Sequence, residues 1–274
     1  MKTLYVTDLD GTLLDSNRRL SDFSIETINE LIKRGMYFTY ATARSLLSAS
    51  NVTRGIITDL PVITFNGTFI SNPQTGEKLL SHYFTEDQKK IIMDSLDNFS
   101  VFPLVYSYIN NEEKVSWIKD RENEGIKNYL NLRKGDKRLR PVLSKDELYE
   151  GELYTFICIG EKEELIDVYE FLQGTGEFTS YFDRELYTED YWCEVMPKNA
   201  SKGNAAKTLK EMLNCDRIIS FGDAINDISM FEASEESYAV ENAAEELKKY
   251  AAGIIKSNDD NGVAHWLKAN YSLQ

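Results

Sequence analysis

Within its first eleven residues the chain runs an apolar segment, LYVT, straight into Asp8-Leu9-Asp10-Gly11, and no other junction constrains the fold as much. A short apolar run that meets two acids and a glycine reads as a strand ending in a turn; a leader peptide would continue its apolar stretch there. Ser21 and Asp22 then precede Ile25, Ile28, Leu31 and Ile32, spaced for one helical face, and Gly35 closes the segment. MYFTYAT (36–42) reads as a second strand, 45–54 as a helix and PVITF (61–65) as a third strand. Strand, helix, strand, helix, strand is the rhythm of a parallel sheet with crossover helices.

The rhythm then breaks. FISNPQTGEKLLSHYF (69–84) reads as a hairpin around Asn72-Pro73 and Gly76. A helix over about 86–99 follows, and strands such as FPLVYSYI and LYTFICIG alternate with charged helices to about Met196. From Ser201 the first rhythm returns, with SKGNAAKTLKEML, RIISF, 227–231, SYAV, AAEELKKYA, GIIKS and VAHWLKAN alternating helix and strand. The expected architecture is α/β, a doubly wound, mainly parallel sheet built from 1–82 and 197–274, with an inserted α+β domain at 83–196.

Composition narrows the functions open to such a fold. A net charge of −14 argues against sequence-independent nucleic-acid binding. No apolar run approaches the roughly 18 residues of a membrane span. Cys158, Cys193 and Cys215 are too few and scattered for a disulfide framework, which suits a reducing, cytoplasmic setting. With only His82 and His265, a His/Cys zinc cluster is not expected. Nothing in the chain indicates an oligomeric state.

Four clusters stand at predicted strand ends. In Asp8-Leu9-Asp10, side chains two apart in an extended segment face the same way, so both carboxylates could reach one site; a solvated turn or helix cap is equally open. Thr42-Ala43-Arg44-Ser45 offers a hydroxyl and N–H groups to an anion, or simply caps a helix. Ser201-Lys202-Gly203 puts a lysine in a first helical turn, where the macrodipole favours anions; a bound phosphate would resolve the conflict, and so would a Lys202 turned to water. Gly222-Asp223-Ala224-Ile225-Asn226-Asp227 offers two acids and an amide to a hard cation such as Mg²⁺, or a cap to a short helix.

In this order the four clusters, standing as DLDGTLL, YATARS, NASKG and GDAINDISM, resemble the motifs of the haloacid dehalogenase superfamily. The insertion after the third strand and the C-terminal KSNDDNGVAHWL look like its Cof-type branch, which carries a large α/β cap. Two positions depart from that pattern: Ala43 replaces the usual glycine, and Val240-Glu241-Asn242 stands where Met-Gly-Asn is usual.

The resemblance implies a Mg²⁺-dependent phosphatase acting on a small phosphorylated metabolite. Sugar phosphates come first, then FMN or pyridoxal phosphate, with a narrow phosphosugar or phosphoglycerate-derivative phosphatase or a non-catalytic phosphometabolite-binding protein as alternatives. Asp8 would be the nucleophile that forms an aspartyl-phosphate, and Asp10 the acid and base. Mg²⁺ would be held by Asp8, the Asp10 carbonyl and Asp223, with Asp227 acting through its neighbours. Thr42, Lys202 and the N–H groups of Leu9 and Ala43 would bind phosphoryl oxygens, and Asn226 would orient the phosphate. Asn66, in Asn66-Gly67, would face the leaving group or Asp8; an ordinary Asn-Gly turn is the other reading. In the cap, Arg133, Lys134, Lys137, Arg138 and Arg140 could meet a second anionic group or form a solvated helix end. Tyr187, Tyr191 and Trp192 could line an apolar or sugar-stacking wall or pack in the core.

Overall fold

A computed structural model describes residues 1–184 and 190–271. The elements run β1 (Thr3–Thr7), α1 (Asp22–Lys33), β2 (Tyr37–Tyr40), α2 (Leu46–Val52), β3 (Val62–Thr64), β4 (Phe69–Ser71), β5 (Lys78–Ser81), α3 (Glu86–Asn98), β6 (Leu104–Ile109), β7 (Glu112–Ile118), α4 (Glu124–Leu132), β8 (Leu139–Val142), α5 (Lys145–Leu148), β9 (Glu152–Gly160), α6 (Lys162–Thr175), β10 (Phe178–Arg184), β11 (Tyr191–Pro197), α7 (Lys202–Met212), β12 (Arg217–Gly222), α8 (Ile228–Glu232), β13 (Glu236–Val240), α9 (Glu245–Lys248), β14 (Gly253–Ile255) and α10 (Gly262–Asn270). They divide into two compact units, Met1–Ser81 with Ala200–Gln274, and His82–Asn199.

In the first unit every residue of β1 is buried, as expected of a strand covered on both faces by helices. It lies between β12 and β2 in a parallel sheet of order β14-β13-β12-β1-β2. A parallel bridge between Ala41 and Ile63 brings β3 beside β2, and β3, β4 and β5 form an antiparallel meander. The chain leaves β1 for β2 on one side and returns on the other through β12, which makes the carboxyl end of β1 a topological switch point, where open α/β sheets bind ligands. Register fixes what emerges there. Thr7 pairs with Tyr40 on one side and Phe221 on the other, so Asp8, Ala41-Thr42 and Gly222-Asp223 leave the sheet side by side.

The helices start where their caps direct. Ser21, Ser45 and Ser201 accept from the N–H groups of Ser24, Ser48 and Asn204, satisfying donors that a helix leaves open. The helix expected over 243–251 is one turn only, Glu245–Lys248, because Leu247 alone gives it a buried apolar contact.

The second unit carries a six-stranded sheet, β10-β11-β9-β6-β7-β8, antiparallel except where β7 pairs with β8. Ile92 and Leu96 of α3 and Leu165, Val168 and Leu172 of α6 pack with Phe156, Cys158, Cys193 and Val195 of the sheet in its hydrophobic core. All three cysteines are buried and unpaired by disulfides. Among the described residues no helix is long and apolar enough to cross a membrane.

Candidate active site

The extended chain of β1 ends at Asp8 (φ −68°, ψ 165°), and Leu9–Leu13 form a tight loop closed by the Leu14 N–H donating to the Leu9 carbonyl at 2.9 Å. Asp8 and Asp10 are therefore not presented by one straight strand; the loop carries Asp10 to its place. Gly11 makes the loop possible. Its φ is +80°, and a Cβ there would lie 2.4 Å from Asp223 Oδ2, closer than any side chain tolerates. Asn242 Nδ2 donates to the Gly11 carbonyl at 2.8 Å, and Asn258 Nδ2 to the Leu14 carbonyl at 3.0 Å, so the C-terminal loops pin this turn from outside.

Lys202 is the hub. Its side chain is wholly buried, and Nζ donates to Asp8 Oδ1 and Asp227 Oδ1, each at 2.6 Å. The water-facing alternative for Lys202 thus does not hold: the conflict with the helix macrodipole is met by two carboxylates. Asp227 is held on both oxygens, since its Oδ2 also accepts from the N–H groups of Asp223 and Ala224 at 3.0 and 3.1 Å. Asp223 Oδ1 accepts from Thr12 Oγ1 at 2.6 Å, a role for Thr12 that the sequence reading did not assign.

Carboxylate oxygens of Asp8, Asp223 and Asp227 lie within 4.8 Å of one another. One ammonium among three carboxylates leaves the cluster short of positive charge. Burial, joined by the Asp227 and Asp223 carboxylates, drives the Asp8 pKa well above its usual range despite Lys202. Burial and Asp227 push Asp223 up to about 7. Burial alone would lower Lys202, but Asp227 and Asp8 outweigh it and hold the amine charged. A cluster of hard oxygen donors whose acids are pushed toward protonation is one that a divalent cation would relieve, and Mg²⁺ suits such donors. The residues present fit the ion.

The hydroxyl of Thr42, 1% exposed, accepts from the Arg44 N–H at 3.2 Å, which leaves its own proton to give. Beside it Ala43 is exposed and Leu9 fully buried. Asn66 is buried with φ +52°, next to Phe65 at +48°, and the N–H groups of Phe65 and Asn66 donate to the carbonyls of Arg44 and Thr42. Left-handed backbone at a bulky residue such as Phe65 is strained, and such strain clusters at functional sites. Asn66 Oδ1 accepts from Asn226 Nδ2 at 3.0 Å, which joins the two predicted amides. The sequence reading also assigned no role to the side chain of Arg44, whose guanidinium grips Asp10 by both oxygens, Nε to Oδ2 at 2.6 Å and Nη2 to Oδ1 at 2.5 Å. A lone arginine between small and hydroxyl residues at a strand end was the available signal.

Of the cap candidates, Arg133, Arg138, Arg140, Tyr191 and Trp192 are engaged inside their own unit. Arg138 pairs with Asp136 and Glu113, Arg140 with Glu150, and the Arg133 guanidinium lies 3.7 Å over the Tyr129 ring, while Lys134 and Lys137 are exposed. Tyr191 stacks on Phe182 and Trp192 packs against Tyr129; Tyr187 lies outside the described residues.

A parallel sheet with acids at its switch point, a buried lysine joining two of them and a threonine at the next strand end defines the haloacid dehalogenase-like hydrolases, and a model of that family matches residues 5–267. The chain belongs to this family and is an enzyme acting on phosphate esters. It is 27% identical to the 5-amino-6-(5-phospho-D-ribitylamino)uracil phosphatase YitU of Bacillus subtilis, over 98% of each chain. With YwtE of the same organism, which bears the same enzyme name, identity is 25% over 95% of each. The crystal structure of TM0651 from Thermotoga maritima superposes with a TM-score of 0.78 at 29% identity, covering 99% of this chain and 98% of the other.

Proposed function

We propose that the protein is a Mg²⁺-dependent phosphatase that hydrolyses small phosphomonoesters through an aspartyl-phosphate on Asp8. Sugar phosphates are the foremost substrate class, with FMN and pyridoxal phosphate beside them. The names of YitU and YwtE favour a phosphorylated sugar-alcohol chain among these. The observation that carries the reading is the buried Lys202 held between Asp8 and Asp227 with Asp223 alongside.

Asp8 attacks phosphorus and the ester oxygen leaves, so one displacement becomes two easier ones. Lys202 fixes Asp8 Oδ1, and Oδ2, which has no hydrogen-bond partner among the described residues, is the oxygen left to attack. Asp10 gives a proton to the leaving oxygen and then takes one from the water that hydrolyses the acyl phosphate. Lys202, the Thr42 hydroxyl and the N–H groups of Leu9 and Ala43 hold the phosphoryl oxygens, and Asn226, steadied by Asn66, orients the group. When bound, Mg²⁺ adds charge neutralisation at the phosphoryl group. Asp8, Asp223 and the Asp10 carbonyl are the groups to hold it, with Asp227 fixing Lys202 and the Asp223 loop. An intact set of Asp8, Asp10, Thr42, Lys202, Asp223 and Asp227 speaks against a purely binding role.

The test is inorganic phosphate release from a panel of sugar phosphates, nucleotides, FMN and pyridoxal phosphate, with Mg²⁺ and with EDTA. Release by the wild type with Mg²⁺ alone, and none from a folded Asp8→Asn variant, is the expected result. An Asp8→Asn variant that turns over at the wild-type rate would overturn the covalent route.

A further inference from the structure

Arg44 is the most firmly held charged residue of the site that the reaction above leaves without a task. Its N–H donates to Thr42 Oγ1 and its carbonyl accepts from the Phe65 N–H, so its backbone is locked between two strand ends. Nη1 donates to Ser48 Oγ at 3.1 Å, and Nε and Nη2 reach the two oxygens of Asp10. The arginine side chain is 18% exposed, whereas that of Asp10 is 44% exposed.

We propose that Arg44 is a positioning residue whose guanidinium fork sets the plane and rotamer of the Asp10 carboxylate for proton exchange with the leaving group and water. The inference rests on the phosphatase reading given above. Asp10 sits in a tight loop, and its carboxylate has no hydrogen-bond partner other than Arg44 among the described residues. Without the fork the half-exposed carboxylate would turn about two side-chain bonds. A carboxylate offers about four lone-pair directions and the fork uses two, so each oxygen keeps one for a proton. A lysine would keep the charge but lose the two-point grip, which is why the exchange is not conservative here. An ion pair this exposed adds little to stability, so its effect belongs in the rate. The competing role for a cation at this place is direct binding of phosphate, and the two roles separate experimentally.

The experiment compares wild type, Arg44→Lys, Asp10→Asn and the double variant, reading kcat and KM for the best panel substrate and inhibition by inorganic phosphate. Misplacing a proton-transfer group lowers kcat by about 10- to 100-fold in Arg44→Lys. KM and the phosphate inhibition constant stay within about twofold of wild type, because ground-state binding is untouched. The double variant is no slower than Asp10→Asn alone, since a residue that acts through Asp10 has nothing further to lose once Asp10 is gone. Arg44→Gln takes the place of Arg44→Lys if thermal melting shows that the latter does not fold. Losses that multiply in the double variant, or that fall on KM and phosphate inhibition, overturn the positioning role and make Arg44 a phosphate ligand. A wild type inert across the panel overturns this inference together with the phosphatase reading; an active wild type with multiplying losses overturns this inference alone.

Discussion

Replacing Lys202 by methionine keeps most of the side-chain volume and removes one positive charge from a place with no access to water. Lys202 is 0% exposed, as is the Asp227 side chain, and that of Asp8 is 8% exposed. Solvent cannot screen what is left behind, so the change leaves two buried carboxylates facing each other and Asp223 without a counter-charge. Removing one partner of a buried ion pair costs about 3–5 kcal/mol. At about 2–4 °C per kcal/mol for a unit of this size, the melting transition of the unit holding Lys202 falls by roughly 6–20 °C. The assay is calorimetry in EDTA, so that no cation substitutes for the ammonium. The sign of the pH dependence follows from the same charges. Without Lys202 the folded-state pKa values of Asp8 and Asp223, which that ammonium holds down, rise further, so the folded variant binds protons that the unfolded chain releases above about pH 4. Stability is then lost as pH rises through the folded pKa values, and the deficit relative to wild type narrows from pH 7.5 toward pH 5. A Lys202→Met variant that melts within about 2 °C of wild type at pH 7.5 would refute the view that this amine balances the site.

The remaining tests use the cation and the loop. Because Asp223 is pushed up to about 7 and Asp8 is raised as well, the metal-free protein loses stability as pH rises from about 4 to 7. Mg²⁺ competes with those protons, so its increment in melting temperature over EDTA should be larger at pH 8 than at pH 5.5, and equal increments would count against these carboxylates as the binding set. Gly11→Ala forces a Cβ to 2.4 Å from Asp223 Oδ2 at φ +80°. The left-handed backbone costs about 1–2 kcal/mol. Displacement of Asp223 costs at least about tenfold in turnover, and a variant with unaltered Mg²⁺ dependence and rate would show that the space at Gly11 does not set the position of Asp223.

The core was legible because its determinants are short-range. The unbroken apolar run of β1, the serine caps at 21, 45 and 201, and the return of strand–helix rhythm after residue 200 each depend on neighbours a few positions away. The acidic and hydroxyl clusters could be found for the same reason, since each closes one strand. What each cluster touches was less legible. A lysine in a first helical turn reads the same whether it faces water or an acid; only the fold brings Asp8, 194 positions away, to Lys202. Arg44 and Asp10 are 34 residues apart and meet because β1 and β2 are neighbours in register. No spacing rule within one segment contains that pairing.

The same reasoning explains why the inserted unit gave so little away. Five basic residues within 133–140 could be read as one anion-binding group or as a solvated helix end; three of them have separate partners, and Lys134 and Lys137 are exposed. Asp136, two residues from Arg138, is a local partner that the sequence offers openly, but Glu113 reaches Arg138 only because β7 runs beside β8, and Glu150 reaches Arg140 from beyond α5. Arg133 spends its planar face on Tyr129, whose hydroxyl meets that of Tyr106 in the interior of the unit. Charge density along a sequence therefore overstates the charge available to a ligand whenever acids on neighbouring strands stand opposite it. That condition is set by strand pairing, whereas the core's acids are set at strand ends where no partner strand continues. A chain of this kind declares its chemistry more readily than its choice of substrate because its candidate catalytic groups gather where pairing stops, and the charges of the inserted sheet stand where it continues.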